Sequence, residues 1–172
     1  VAGLSGMLPK GVSNEEDVLQ MANGGWDLMT QVPVARWDLA QAALELRQFS
    51  DEVKSRARHG GFLSNATLFD PSFFIMSKLE ATAMDPNQRL LLERGYQALH
   101  DASMTKATLL GSLVAVNVGQ WESEFAGHCM RSPAGNSVYG ITGFQTAVTC
   151  GRVSFTLGLH GPCCTFNTAC SA

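Results

Sequence analysis

A cysteine near the end of the chain stands where residue types and spacing could perform covalent chemistry. The apolar, β-prone run from Pro162 to Asn167 leads into a cluster of small residues, Thr168-Ala169-Cys170-Ser171. This pattern is typical of a strand that ends in a tight turn, which exposes a thiol at the end of a sheet beside backbone N–H groups. Such N–H groups favour the thiolate and can bind an oxyanion. The pattern makes Cys170 a candidate nucleophile, while the local sequence alone favours the alternative of a buried structural thiol.

The other cysteines show no pattern of a disulfide framework or a metal site. There are five cysteines, an odd number, and their spacing predicts free thiols in a reducing compartment. Cys163 and Cys164 are adjacent, so in a strand they point to opposite faces, and no Cys-x-x-Cys pair occurs. We expect no metal site and no directly bound cofactor. Cys129, Cys150, Cys163 and Cys164 are interpreted as small apolar packing residues.

Composition excludes several classes of partner. The chain of 172 residues is 45% hydrophobic, has a net charge of -3 and has a pI near 5.8, so it lacks the basic surface of a nucleic-acid binder. No apolar run is long enough to span a membrane, and no secretory signal is visible. These features predict an intracellular protein of the cytoplasm or a plastid. Both ends look like interruptions of a longer domain, so residues 1–172 are interpreted as a partial domain, truncated at both ends.

Helical and buried-strand patterns alternate, which predicts an α/β fold that would hold the thiol at a sheet edge. The clearest helix begins with Asp85 as N-cap and Pro86 at its first position, and it should end near Asp101-Ala102. A Val-rich run over Gly111–Gly119 is interpreted as a buried strand. Phe144–Leu159 is predicted to be a helix, and it precedes the strand that ends at Asn167.

Weaker signals describe the rest of the chain. Ser13 is predicted to be the N-cap of a capping box that starts a helix closed by Gly24-Gly25. Ala40–Phe49 is predicted to be helical. Lys54–His59, the most basic stretch, and Gly135–Gly143, which is rich in glycine, are predicted to be loops.

Two arginines have predicted structural roles. Arg152 lies in an apolar context, which indicates a buried, ion-paired residue with a partner that the sequence does not identify. Arg89 and Glu93 lie at i and i+4 on the predicted helix and are expected to form a surface pair or a pair that faces a partner. Neither arginine is predicted to act in catalysis.

Three ordered motifs carry a resemblance to a known family. They are Met84-Asp85-Pro86-Asn87-Gln88-Arg89-Leu90-Leu91-Leu92-Glu93, the stretch from Gly151 to Pro162, and Asn167-Thr168-Ala169-Cys170-Ser171-Ala172. With the matching segments around Val32–Asp38, Gly60–Leu63 and Phe69–Phe74, the chain resembles the N-terminal part of a β-ketoacyl synthase (ketosynthase) domain of a modular type I polyketide synthase. The resemblance runs through essentially the whole chain.

The resemblance implies a thiolase-like α/β/α/β/α sandwich, of which the chain would form most of the first half. It implies an acyltransferase that performs decarboxylative Claisen condensation in polyketide biosynthesis. Cys170 would carry the acyl group as a thioester, and a malonyl-type unit would arrive on the phosphopantetheine arm of an acyl carrier protein. The family's two histidines and one lysine follow the nucleophile in chain order, whereas His59, His100, His128 and His160 all precede Cys170. The 172-residue piece alone is therefore expected to be inactive.

The resemblance also implies a homodimer, formed through the strand that precedes Cys170. Two departures from the family's usual Asp-Thr-Ala-Cys-Ser-Ser motif leave alternatives open, since Asn167 replaces the aspartate and Ala172 replaces the second serine. One alternative is a non-catalytic or gatekeeping ketosynthase-like dimerisation domain. Another is the ketosynthase of a fatty acid synthase. A hydrolase with a cysteine nucleophile is a more distant possibility.

Overall fold

The computed structural model describes residues 1–171, the side chain of residue 43 excepted, and divides the chain into two compact units. The smaller unit is Gly6–Asn65, and the larger unit holds Val1–Ser5 and the chain from Ala66 onward. Among the described residues, no helix is both long enough and apolar enough to cross a membrane. The alternation of helices and strands confirms the predicted α/β class.

The smaller unit contains short elements tied by local hydrogen bonds. Its helices and strands are α1 (Glu15–Gly24), β1 (Thr30–Gln31), α2 (Leu39–Glu45), α3 (Asp51–Arg56) and β2 (His59–Gly60). Strands β1 and β2 pair antiparallel, with Thr30 opposite Gly60. A 3₁₀ turn over Leu46–Gln48 continues α2, so the predicted helix over Ala40–Phe49 is confirmed in its main part.

Two predictions in this unit were wrong. The N-cap of α1 is Asn14 rather than Ser13, because the Asn14 side chain accepts the Asp17 N–H at 2.8 Å. The basic stretch begins inside a helix rather than in a loop, since Ser50 caps α3 and acidic residues fill its first turn. Gly25 ends α1 in the left-handed conformation, as the Gly24-Gly25 pair predicted.

The larger unit holds the main hydrophobic core. Its elements are α4 (Lys78–Ala83), α5 (Pro86–Asp101), α6 (Lys106–Leu109), β3 (Val116–Gly119), α7 (Phe125–Cys129), α8 (Gly140–Phe144), α9 (Thr146–Leu157) and β4 (Cys163–Phe166). Helix α5 has the predicted bounds, with the Asp85 carboxylate accepting the Asn87 N–H at 2.7 Å. The core of this unit consists of buried apolar side chains from α5, α6, α9 and the loops beside them: Phe74, Met84, Leu92, Leu109, Val153, Leu157 and Leu159.

Two segments of this unit differ from prediction. The strand covers only Val116–Gly119, because Gly111 turns the chain at φ 75° and donates its N–H to the Gly158 carbonyl at 2.7 Å. The predicted loop over Gly135–Gly143 contains the start of α8. There Gly143 brings the backbone close enough for its carbonyl to accept the Asp85 N–H at 2.7 Å. This contact requires glycine at position 143, because a Cβ there would collide with the Ala83 carbonyl. Loop flexibility is not the reason for the glycine.

Candidate active site

Strands β3 and β4 form a parallel pair that determines where Cys170 lies. Their register places Val116 opposite Cys163 and Gly119 opposite Phe166. The Gln120 N–H extends the ladder by donating to the Phe166 carbonyl at 3.0 Å. The segments that follow both strands therefore leave the sheet at the same edge, the carboxyl edge where α/β proteins bind their ligands.

Cys170 lies on the turn that follows β4 at this edge. Residues Ala169–Ser171 form a 3₁₀ turn, and the Thr168 carbonyl accepts both the N–H of Ser171 at 3.2 Å and its hydroxyl at 2.8 Å. The cysteine is exposed. The structure thus agrees with the strand-then-turn geometry that the sequence predicted for this thiol.

The residue before the thiol has an unusual backbone. Ala169 has φ 53°, in the left-handed region that residues other than glycine, asparagine and aspartate seldom adopt. Such conformations are retained where the surrounding structure imposes them, and they are common at functional turns. The backbone of Ala169 therefore sets the direction in which the chain presents Cys170. Ala172, one of the two departures from the family motif, lies outside the described residues.

Helix α9 supports β4 from one face. The Cys150 N–H on the helix donates to the Thr165 hydroxyl at 3.3 Å, so Thr165 and, by strand alternation, Cys163 face the helix. A hydrogen bond with the Cys150 side chain, followed by the electrostatic effect of Cys150, raises the pKa of the Cys163 thiol. Cys163 itself is exposed to solvent. Cys129 and Cys150 are buried, which confirms their structural interpretation.

A cavity of about 360 Å³ opens where β3 ends. Its walls include Leu91 on α5, Val118 at the end of β3, and Gln120 and Trp121 just beyond it. The Gln120 side-chain oxygen is buried and has no hydrogen-bond partner among the described residues. The cavity wall is therefore mixed, with apolar side chains, the Trp121 ring and the acidic residue Glu122 at the edge that carries Cys170.

Arg152 is the buried, ion-paired residue that the sequence predicted. Its guanidinium lies 2.7 Å from the Glu80 carboxylate and donates to the Thr142 carbonyl at 3.4 Å. These contacts join α9 to α4 and α8. No local pattern identifies Glu80 as the partner, because it lies 72 positions away from Arg152 in the sequence.

The predicted surface pair of Arg89 and Glu93 does not form. Among the described side chains, the ion pairs within 4.0 Å are Lys54 with Asp51 and Arg152 with Glu80. Burial is the main cause that raises the pKa of Glu93, and it also lowers the pKa of Arg89. Their opposite charges attract each other, but the two side chains do not form an ion pair within 4.0 Å.

Sequence reasoning missed Gln88. Its side chain is buried and its amide donates to the carbonyls of Thr142 and Gln145, at 3.4 and 3.5 Å. The residue joins the first turn of α5 to α8 and to the residue between α8 and α9. Its position at N3 of the helix suggested only a capping role, which the structure does not show.

Comparison with known proteins defines the class. The chain matches the family described as "Beta-ketoacyl synthase, N-terminal domain" over residues 1–172. It therefore belongs to the β-ketoacyl synthase family, as the ordered motifs indicated, and the match covers its N-terminal domain.

The individual relatives are polyketide synthases. The chain is 39% identical to "Polyketide synthase GfsB" of Streptomyces halstedii and 40% identical to "Pikromycin polyketide synthase component PikAII" of Streptomyces venezuelae. Both matches cover all of this chain but only 3% and 5% of those proteins.

Solved ketosynthases share the fold. The ketosynthase from module 6 of the bacillaene synthase of Bacillus subtilis 168 matches with a TM-score of 0.73 and 27% identity. The oxazolomycin ketosynthase domain of Streptomyces albus JA3453 matches with a TM-score of 0.74 and 26% identity. Each match covers 98% of this chain and 26% or 28% of the solved chain. These matches confirm the expected thiolase-like α/β fold, present here in part.

Proposed function

We propose that the whole protein is a polyketide synthase whose ketosynthase joins acyl units by decarboxylative Claisen condensation, with Cys170 as the nucleophile. The observation that carries this proposal is the position of Cys170, exposed on the turn directly after a strand paired in register with β3. The family of the chain and the class of its relatives support the reaction.

The first stage transfers an acyl group to the protein. The Cys170 thiolate attacks the carbonyl carbon of an acyl thioester on a phosphopantetheine arm, a new C–S bond forms, and the pantetheine thiolate leaves. Backbone N–H groups of the turn are the candidates to stabilise the oxyanion of the tetrahedral intermediate. The cavity at the end of β3 is the candidate site for the acyl chain, because it opens at the same edge.

The second stage forms the carbon–carbon bond. A malonyl-type unit on an acyl carrier protein loses carbon dioxide, and the resulting carbanion attacks the Cys170 thioester. The C–C bond forms while the C–S bond breaks, which returns the Cys170 thiolate and leaves a β-ketoacyl chain on the carrier. The family's histidines and lysine would assist this stage from positions beyond this chain.

Two further parts of the proposal concern partners and compartment. The acyl carrier protein is the proposed partner in both stages. A second copy of the chain is proposed to pair along β4, whose outer edge is unpaired among the described strands. All five cysteines are free thiols, which favours a reducing compartment inside the cell.

The test is to map the acylated thiol. The whole protein, rather than the 172-residue piece, is incubated with an acyl-thioester probe. The adduct is then located by mass spectrometry after chymotryptic cleavage at Phe166, which separates Cys163 and Cys164 from Cys170. We expect the acyl mass on the Cys170 peptide, its loss in Cys170→Ala, and its retention in the matched control Cys164→Ala. Undiminished acylation and condensation in Cys170→Ala would refute the proposed nucleophile.

The second candidate function is a non-catalytic ketosynthase-like domain that dimerises or acts as a gatekeeper. Asn167 favours it, because the family's usual aspartate is absent two residues before the turn that carries the thiol. A folded full chain that forms dimers but never acylates Cys170 would support this candidate over the first.

A further inference from the structure

A cationic cavity in the larger unit has no role in the proposed reaction. It has a volume of about 270 Å³ and lies between the segment 67–71, helix α4 and the first turns of α5. Two cations, Lys78 and Arg89, contribute to its walls, and no carboxylate does. This one-sided charge distinguishes it from the cavity beside it, whose walls include both Asp70 and Glu93.

Among the residues that line this cavity, Arg89 has incomplete hydrogen bonding; the Nε atoms of Arg94 and Arg152 are also buried without a partner, but neither residue lines the cavity. The Arg89 Nε atom is buried and has no hydrogen-bond partner among the described residues, and the described ion pairs do not include its guanidinium. Burial lowers the pKa of Arg89, and the charges of Asp85 and Glu93 only partly offset that effect. A partly buried guanidinium without a direct partner is costly, and such groups are usually satisfied by a bound ion or ligand.

The nearby carboxylates lie outside the cavity wall, although the Oδ2 atom of Asp85 is buried and has no hydrogen-bond partner among the described residues. Asp85 is the N-cap of α5, and one of its carboxylate oxygens accepts the Asn87 N–H at 2.7 Å. Glu93 lies on α5 one turn beyond Arg89, and it contributes to the wall of the neighbouring cavity. Neither residue contributes to the wall of the cationic cavity, although both lower the potential around Arg89.

The donors that face the cavity suit an oxyanion. The Thr82 hydroxyl already donates to the Lys78 carbonyl at 2.8 Å, so the available donors are Arg89, Lys78 and Thr67. A planar guanidinium can hold two oxygens of a phosphate at once, while an ammonium and a hydroxyl contact the others.

We propose that Arg89, Lys78 and Thr67 form a binding site for a phosphate-type oxyanion. The ligand is inorganic phosphate or the phosphate of a small phosphomonoester, which share the same recognition chemistry. This site depends neither on Cys170 nor on the carbon–carbon bond-forming reaction, so its failure and the failure of the proposed function are separable.

The experiment measures binding to the full chain. Potassium phosphate is compared with potassium chloride at equal ionic strength by thermal unfolding, and affinity is measured by isothermal titration calorimetry. We expect phosphate to raise the unfolding midpoint progressively, as a ligand of the folded state does. Arg89→Gln should weaken binding by roughly tenfold or more, as the loss of a charge-assisted hydrogen bond predicts.

Arg94→Gln is the matched control, because it removes the same charge from the same helix at a residue that borders the neighbouring cavity. It should bind phosphate as the parent does. If Arg89→Gln does not fold, Lys78→Gln replaces it, since Lys78 is exposed at the edge of α4. Glycerol 3-phosphate forms a second arm, and tighter binding than inorganic phosphate would identify the ester as the ligand. Stabilisation by phosphate no greater than by chloride, or equal weakening in Arg89→Gln and Arg94→Gln, would overturn the proposal.

Discussion

The two units of the molecule are stabilised in different ways. In the smaller unit the described buried apolar side chains are Val12 and Val32, and α1 and α3 contain no buried residue. In the larger unit α5, α6 and α9 bury side chains in a common core, and side chains such as Met84 and Leu92 are fully inaccessible. Capping and turn chemistry determines the structure of the smaller unit, whereas packing determines that of the larger one.

The difference has a consequence for the candidate site. Helices as short as α1 and α3 are marginal without tertiary packing, so local unfolding should begin in the smaller unit. The strands that direct Cys170 belong to the larger unit, where α9 packs against them through Cys150 and Thr165. Cys170, the proposed nucleophile, is therefore held by the more stable part of the molecule. Four substitutions, ordered from the largest to the smallest expected change in stability, test this contrast.

Leu92→Ala should cause the largest loss. Leu92 is fully buried at the centre of the larger unit, and truncation of such a residue costs about 2–5 kcal/mol through lost burial and a new cavity. The free energy of unfolding of the full chain is measured by denaturant titration. Val34→Ala in the smaller unit is the control, because Val34 is 95% exposed. A loss of equal size in both variants would contradict the contrast.

Gly143→Ala tests the contact between α8 and the start of α5. The added methyl would collide with the Ala83 carbonyl, and overpacking of this kind costs about 1–3 kcal/mol. Gly151→Ala in α9 is the matched control, because its Cβ would point into open space. There we expect a gain of about 0.5–1 kcal/mol from helix propensity. Thermal unfolding of both variants should therefore show shifts of opposite sign.

Val32→Ala examines the small core of the other unit. Val32 is buried beside β1, and loss of its methyl groups should cost about 1–2 kcal/mol. We expect hydrogen exchange to accelerate in Gly6–Asn65 and to stay unchanged in β3 and β4. Faster exchange spread equally over both units would show that they unfold together, contrary to the contrast.

Ile75→Gly should stabilise the larger unit slightly. Ile75 has φ 58° and is 93% exposed, so this β-branched residue has an unfavourable backbone conformation and little compensating burial. Glycine removes that cost of about 1–2 kcal/mol but loses more entropy on folding, which leaves a net gain of about 0.5–1 kcal/mol. Ile75→Val, which remains β-branched, should show no gain. The unfolding midpoints of the three proteins check this order.

Sequence reasoning succeeded where the signal was local. Asp85-Pro86 predicted the start of α5 because a capping side chain and a proline act within one turn. The strand-then-turn pattern predicted the exposure of Cys170 for the same reason. In α3 a local helix signal is present, because Ser50 is a capping residue and the first turn is acidic. The run of basic residues that follows predicts a loop instead, and that prediction is wrong.

Long-range partners could not be predicted. The contact of Arg152 with Glu80 and those of Gln88 with Thr142 and Gln145 join segments that are distant in sequence. Their formation depends on how α4, α5, α8 and α9 pack, which no local pattern encodes. The loop predicted at Gly143 is wrong because its structure also depends on a distant residue. The Gly143 carbonyl accepts the N–H of Asp85, which lies far away along the chain.

The parallel pairing of β3 and β4 determines the order in which this region can form during synthesis. Val116 lies opposite Cys163, so the ladder closes only after the whole segment between β3 and β4 has been translated. Closure over such a separation is slow compared with the formation of the intervening helices. A ribosome that pauses before β4 has emerged would hold a nascent chain whose helices are folded but whose Cys170 side chain has no fixed direction. Codon usage over this stretch is therefore a practical variable for heterologous expression.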